Sequence, residues 1–378
     1  MKILHICLAN LYIEGMGYQE NIIPFFHAEE GNEVFILTAR AKHLSVEQSE
    51  KEHYRDNIRI KYTERGGCFS RYGRFPGLYK ELEAFAPDII FVHGGQFISL
   101  HAVTKYCKKN RNVRLYIDQH ADYYNTPVDS FRRKTAARYL YGHFIRKAVR
   151  YTEKFWGVTP WRCQYLNDVY GVPKEKIGLL VMGGDDREIH FNQMPELRSD
   201  IRKRMSLSED DFVIVTGGKI GRAKNIHLLM RAVQQINNDK IKLIVFGTLT
   251  DDMRDEITAL SKDRNIRFIG WVPAERVYDY FLSSDLGVFP GTHSVLWEQA
   301  CACGLPCLFK YWEGMQHVDV GGNCGFLCKN SLDEITQLIF ELFNNKEKYN
   351  AMKQCAVEKA IGKFSYREIA KRAIEITN

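Results

Sequence analysis

Short apolar strands alternate with helical stretches along this sequence, stop at a polar interval, and then begin again. In the first half the strand candidates are Ile3–Leu8, Glu33–Thr38, Asp88–His93, Leu115–Gln119 and a short one at Gly157–Thr159. Helical patterns lie between them, for example Gly17–Glu30 and Gly77–Ala86. Runs such as IIFV are continuously apolar, as expected of parallel strands covered on both faces. Residues Asp186–Asp211 are charge-rich, contain Pro195 and read as an interdomain connection. The alternation then resumes with strands Phe212–Thr216, Lys242–Phe246, Ile266–Ile269, Leu286–Phe289 and Cys307–Phe309. Helices Ile226–Ile236, Asp252–Leu260, Arg276–Ser283 and Ser294–Cys303 separate them. Such alternation implies an α/β chain of two doubly wound, Rossmann-like domains. A length of 378 residues suits two such domains. Ligands of open parallel sheets bind outside the carboxyl ends of the strands, so the expectation is a central cleft into which both sheets aim their loops.

Composition removes several classes. The chain is 45% hydrophobic and 26% charged, which excludes disordered and collagen-like proteins. The 10 cysteines form no Cys-x-x-Cys pair, so buried free thiols are favoured over a zinc site or a disulfide framework, and a reducing cytoplasm fits them. MKILHICLANLYIEG reads as a first buried strand and not a signal peptide, and no window reaches the length of a membrane span. The whole net charge of +7 belongs to residues 1–185, and residues 101–150 hold 12 basic against 3 acidic residues. Such a patch attracts anionic surfaces: membrane head groups, a lipid pyrophosphate or nucleic acid. Within it, RRKTAARYLYGHFIRKAVRYTEK (132–154) interleaves Tyr139, Phe144, Ala148 and Tyr151 with basic residues at helical spacing. That pattern describes either an interfacial helix or an amphipathic helix packed on its own sheet with a solvated basic face.

The residues with chemistry lie at strand ends. Strand Phe212–Thr216 runs into Gly217-Gly218-Lys219-Ile220-Gly221-Arg222-Ala223-Lys224, where glycines let a ligand approach backbone N–H groups and lysines neutralise a diphosphate. A solvated basic turn is the plainer reading. The second cluster, Pro290-Gly291-Thr292-His293-Ser294-Val295 followed by WEQACACGLP, places Ser294 as an N-cap at a strand's carboxyl end. Glu298, four residues on, shares a face with Ser294 and could accept ribose hydroxyls; a first-turn carboxylate favoured by the helix dipole is the alternative. A third cluster, Asp118-Gln119-His120-Ala121-Asp122, ends strand Leu115–Gln119 as an acceptor or reaction-centre site, with His93 at the end of the preceding strand. The acidic pairs Asp185-Asp186, Asp210-Asp211 and Asp251-Asp252 sit at element boundaries and read as caps, not a magnesium site.

These motifs resemble, in order, those of the family-4 retaining glycosyltransferases of the GT-B fold. GGKIGRAKNIHLLMRAV is similar to the family's Gly-Arg-x-x-x-x-Lys-Gly loop and following helix, FIGWVP to its Phe-Leu-Gly-x-Val segment, and WEQACACGLPCLF to its Glu-Ala-x-Ala-x-Gly-x-Pro-Val signature. GMGYQENIIPFFHAEEGNEVFILT resembles the opening loop, helix and second strand, and FSYREIAKRAIEI the closing helix. The resemblance implies that Lys219 and Lys224 contact a donor diphosphate, that Glu298 holds the ribose, and that Trp271 and Val272 meet the base. It puts Gly17 near the phosphates and His120 beside the donor sugar. Gly218, Thr292, His293, Ser294 and Val295 complete the donor side, and His93, Asp118 and Asp122 the acceptor side. The pattern departs in two places: Lys219 replaces an arginine, exchanging a planar fork for a point charge, and Pro290 stands where the family has a glutamate on the donor sugar. Thr292 or His293 is the expected substitute.

The resemblance implies a 1–186 acceptor-side domain, a 187–362 donor-binding domain and a 363–378 closing helix returning to the first. It also implies sugar transfer from a nucleotide-diphosphate donor, UDP favoured over GDP, to a glycan or lipid-linked acceptor, with retention and without a metal or other cofactor. The setting would be the cytoplasm, with peripheral contact at the inner membrane face through residues 101–154, and no nucleic-acid partner. A GT-B sugar-nucleotide epimerase and a non-catalytic binding protein on this scaffold remain as rivals.

Overall fold

The computed structural model describes residues 1–39, 52–123 and 136–375. The chain divides into two compact units, Met1–Val181 with Ile369–Asn378, and Met182–Glu368.

In the first unit, among the described residues, eight strands form one sheet: β1 (Lys2–Cys7), β2 (Glu33–Ala39), β3 (Glu52–Arg55), β4 (Ile58–Thr63), β5 (Ile89–His93), β6 (Arg114–Gln119), β7 (Thr152–Gly157) and β8 (Ile177–Leu179). Their spatial order is β3-β4-β2-β1-β5-β6-β7-β8, parallel except for the β3–β4 pair. The two faces of this sheet differ in chemistry. Leu4, Ile6, Ile90, Val92, Leu115 and Ile117 lie in an apolar core with Leu78, Leu82, Leu100, Val103, Ile145 and Leu166 of the covering helices. Side chains alternate along a strand, so His5, Phe91, His93, Tyr116 and Asp118 fall on the opposite face. There Tyr116 donates its hydroxyl to the Ile374 carbonyl, and the Trp156 indole N–H donates to the Ala373 carbonyl. These bonds dock the end of the helix Tyr366–Ala373 within the first unit.

The strand expected at Gly157–Thr159 begins five residues earlier, at Thr152, and Thr159 instead caps the helix Pro160–Asp168, accepting from the Arg162 N–H. Of the two readings of the basic segment 132–154, the helix packed on its own domain fits the described part, over a shorter span. Residues 132–135 lie outside the described part; Ala136–Ala148 are helical, and Thr152–Lys154 already belong to β7. Ile145 and Ala148 are buried and Phe144 packs against the core, so the apolar side of this helix serves its own domain. Arg146 and Lys147 are exposed.

The second unit carries a six-stranded parallel sheet, β9 (Phe212–Gly217), β10 (Ile241–Phe246), β11 (Ile266–Phe268), β12 (Leu286–Phe289), β13 (Cys307–Lys310) and β14 (Cys324–Leu327), in the order β11-β10-β9-β12-β13-β14. Its core joins Ile214, Leu243, Val245, Leu286 and Val288 to Leu229, Met230, Val233 and Ile335 of the helices. The interval expected to be a connection, Asp186–Asp211, is mostly structured. Pro195 opens the helix Met194–Arg204, as proline does at a first turn. Arg202 of that helix is 1% exposed, donates to Asp285 at 2.8 Å, and donates further to the carbonyls of Ser208, Glu209 and Asp211. A charge-rich composition read as a linker is therefore a buried guanidinium network. The acidic pairs act locally: Asp186 accepts from Ser365 Oγ and the Arg367 N–H, Asp185 binds Arg187, and Asp211 accepts from the Ser208 N–H. All ten cysteines are free.

Candidate active site

At the carboxyl ends of β9, β10 and β12 three loops of the second unit press together. A Cβ at Gly247, after β10, would run into the carbonyl oxygen of Gly218, and one at Gly291, after β12, would run into the backbone of Lys224. Both positions need glycine for close approach. The β9 and β10 loops are stitched by Ile220 N–H to Thr248 O at 2.8 Å and Thr250 N–H to Ile220 O at 3.0 Å. The β9 and β12 loops are joined by Thr292 N–H to Ala223 O at 3.2 Å. Lys224 reaches across this junction, its Nζ donating to the Thr292 carbonyl at 2.6 Å. Burial with no carboxylate beside it lowers its pKa to about 8. An ammonium has three hydrogens, so the group can still serve an anion in the recess lined by Gly217, Lys224, Gly291, Thr292 and Ser294. Lys219 is exposed on the same loop, beside Gly218 at φ +114°.

Glu298 sits beneath the β12 loop with no exposed surface. Its Oε1 accepts from two imidazoles, His293 Nε2 and His317 Nε2, each at 2.8 Å. Burial alone would raise the carboxyl pKa, but the two imidazoles prevail and bring it down to about 2. Burial in turn pushes the His317 pKa down against the pull of the carboxylate, so His317 donates as a neutral ring. Oε2 is buried with no partner. Among the described residues, this trio alone has ligand atoms close enough for a metal, within 4.8 Å of one another. Both ring nitrogens, however, already face one oxygen at ordinary hydrogen-bond distance.

Two expectations change here. Ser294 is not the N-cap: the helix is Leu296–Ala302, Val295 precedes it, and no side chain caps it. Of the two residues expected to stand in for the glutamate missing at Pro290, His293 turns its Nε2 to Glu298, and Thr292 meets Lys224 through its main-chain carbonyl and not its side chain. Trp271 is 70% exposed, next to Val272, in the turn after β11.

In the first unit, Asp118 and His93 have no exposed surface, so neither can touch an acceptor as expected. Asp118 Oδ1 accepts the Gly94 N–H at 2.9 Å, and Oδ2 lies 2.8 Å from His93 Nδ1 and 3.6 Å from His120 Nε2. Burial opposes ionisation of Asp118, yet the imidazoles of His93 and His120 hold its pKa below the ordinary range. Burial likewise opposes charging His120, and the Asp118 carboxylate overcomes it and raises that pKa. Asp122 is 4% exposed and takes Arg162 Nε at 3.1 Å, so it is an ion-pair partner more than an open acceptor group. Gly17 is half-buried in the loop leading to the helix Gln19–Glu29. Two residues that spacing did not reveal are Glu20 here, 7% exposed, whose pKa burial raises against the pull of His120 and His93, and His317 on Glu298 in the second unit.

Known proteins agree with this layout. Residues 198–359 match the model of the glycosyl transferases group 1, and residues 26–185 match that of glycosyltransferase family 4. D-inositol 3-phosphate glycosyltransferase 1 of Catenulispora acidiphila is 26% identical over 226 residues, 55% of this chain and 53% of that protein. An uncharacterized glycosyltransferase of Methanocaldococcus jannaschii matches over 40% of its length, so the matched stretches span about half or less of these relatives. Among solved structures, a glycosyltransferase of Rickettsia africae superposes with a TM-score of 0.72 at 13% identity, covering 99% of this chain and 97% of that one. Anabaena HepE (Alr3699) in complex with UDP gives 0.70 at 17% identity, with 98% of each chain covered. With two Rossmann-like sheets and a family match in each unit, the chain carries a glycosyltransferase family 4 domain followed by a glycosyl transferases group 1 domain and has the GT-B fold.

Proposed function

We propose that the chain transfers a hexosyl group from a nucleotide-diphosphate donor to a glycan or lipid-linked acceptor, with retention and without a metal, in surface-polysaccharide or glycoconjugate assembly. The observation that carries this reading is the half-buried Lys224 ammonium held on the Thr292 carbonyl of the β12 loop, in a unit where the same loop meets a buried, ionised Glu298 whose Oε2 is unpartnered. In this reading Glu298 Oε2 accepts a ribose hydroxyl, while Lys224 and Lys219 neutralise charge that grows on the leaving diphosphate. UDP is favoured over GDP, supported by a structural neighbour that holds UDP. The departing phosphate takes the acceptor proton, and His120 orients the sugar. The exposed basic residues Lys105, Lys108, Arg146 and Lys147 are suited to an anionic lipid carrier.

Lys224→Ala should abolish both donor hydrolysis and transfer while leaving the thermal unfolding midpoint within a few degrees; undiminished turnover would sink the assignment. An isomerised product from the sugar nucleotide alone would mean an epimerase. Thermal stabilisation by UDP without any turnover would mean a binding protein.

A further inference from the structure

Three buried histidines of the first unit are connected end to end. His93 Nδ1 lies 2.8 Å from Asp118 Oδ2, and His93 Nε2 lies 3.0 Å from His5 Nδ1. His5 Nε2 lies 3.0 Å from His27 Nδ1, and His27 Nε2 lies 2.8 Å from the carbonyl oxygen of Ala370. His5 and His93 have no exposed surface and His27 is 2% exposed.

The direction of every N–H in this chain follows from one end. A carbonyl oxygen only accepts, so His27 Nε2 carries hydrogen. A neutral imidazole has one N–H and one lone pair. His27 Nδ1 therefore accepts, and His5 Nε2 donates to it. By the same step His93 Nε2 donates to His5 Nδ1. A neutral His93 would then turn a lone pair toward the Asp118 carboxylate at 2.8 Å. Four contacts need four hydrogens and three neutral rings supply three, so the chain holds one added proton. Asp118 meets donors on both oxygens, the Gly94 N–H on one and His93 with His120 on the other, which favours the carboxylate. The same count is met with the added proton on His5 or His27, but His93 alone lies against the carboxylate, so the proton belongs on His93 Nδ1. The other titratable groups around the chain are Glu20 on the helix Gln19–Glu29, Cys7 on β1, and His120 after β6.

We propose that Asp118, His93, His5 and His27 form a buried one-proton arm, a His93 imidazolium paired with Asp118, and that the arm positions His120 and moderates its charge. Its bearing on His120 rests on the transferase reading; its protonation state does not. Each residue acts through Asp118, so these are positioning residues. A positive His93 weakens the pull of Asp118 on His120, and losing that proton strengthens it.

The test is nitrogen-15 NMR of the histidine rings in the full chain at pH 7.5. Expected are Nε2–H neutral rings for His5 and His27 and a doubly protonated His93. His27→Phe removes the fixed end. His5 should then switch to the Nδ1–H form, donating to His93 Nε2, and His93 should become neutral with Nδ1–H on Asp118. The titration midpoint of His120 should rise by about one pH unit. His27→Gln, whose amide can both accept from His5 and donate to Ala370, should restore the doubly protonated His93. A neutral His93 in the unaltered chain overturns the arm, and so does an unmoved His120 midpoint in His27→Phe. Should His27→Phe fail to fold, the unaltered chain and His27→Gln still decide. A charged His93 in a chain that transfers no sugar sustains the arm and removes only the transferase reading.

Discussion

Each unit of this protein places imidazoles on a buried carboxylate, in opposite arrangements. On Glu298 two rings converge on one oxygen, so two contacts need two hydrogens and neutral histidines suffice. On Asp118 the rings run in series away from the carboxylate and end on a carbonyl, which forces an extra proton into the chain. Both devices keep an acid ionised in a dry place, where an unpaired charge would be costly. Convergence leaves the far oxygen of Glu298 for a ligand. The series leaves Asp118 with no open surface and hands its influence to His120. In the proposed reading the contrast separates a carboxylate that would touch ligand from one that works behind another residue.

The largest test removes the convergent carboxylate. Glu298→Ala takes the shared acceptor from two buried rings and should cost roughly 3–5 kcal/mol of stability by chemical denaturation. Binding of UDP should fall with it, and retention of full affinity would break the ligand-touching half of the contrast.

Acid should separate the two devices by pH. Burial brings the His27 pKa down to about 4, against about 6.5 in an unfolded chain. The unfolded state therefore binds more protons between those values, and stability is lost as pH falls from about 6.5 toward 4. Glu298, held at about 2, contributes above the unfolded carboxylate value, and that share is lost only as pH falls below about 4.5. Each is worth roughly 3 kcal/mol. His317 and His227 of the second unit are also lowered by burial, but less than His5 and His27, so hydrogen exchange followed from pH 7 to 4.5 should show the first unit opening first; simultaneous opening would contradict the difference.

The smallest effect sharpens the ligand side. Free Lys224 loses its charge near pH 8, so affinity for UDP should be flat below that pH and weaken by up to about tenfold per unit above it. Lys224→Arg should flatten the profile, as a guanidinium stays charged.

Much of this was legible in the sequence. Continuous apolar runs such as Ile89–Val92 and Leu243–Phe246 disclosed buried parallel strands, and strand ends pointed to Lys224, Glu298 and His120. Strands β3 and β4 were missed because EHYR and IRIKYT carry at least as many polar as apolar residues, in keeping with their place at and next to the sheet edge. The histidine arm was not visible because positions 5, 27, 93 and 118 share no spacing; only the fold brings them together. A signal did exist: His5 interrupts an otherwise apolar strand, and a buried polar side chain needs a partner. His317 had none, since it lies in a short turn between β13 and β14.

The arm's last acceptor is supplied by residue 370, while its first imidazole is residue 5. During synthesis the whole of Met182–Glu368 must emerge before Ala370 can meet His27. Until then the sheet of the first unit lacks the helix that covers its polar face, and Tyr116 and Trp156 lack their carbonyl acceptors. The nascent first unit is therefore an unfinished fold in which His27 still lacks its carbonyl acceptor. Its completion reports that translation has passed residue 370.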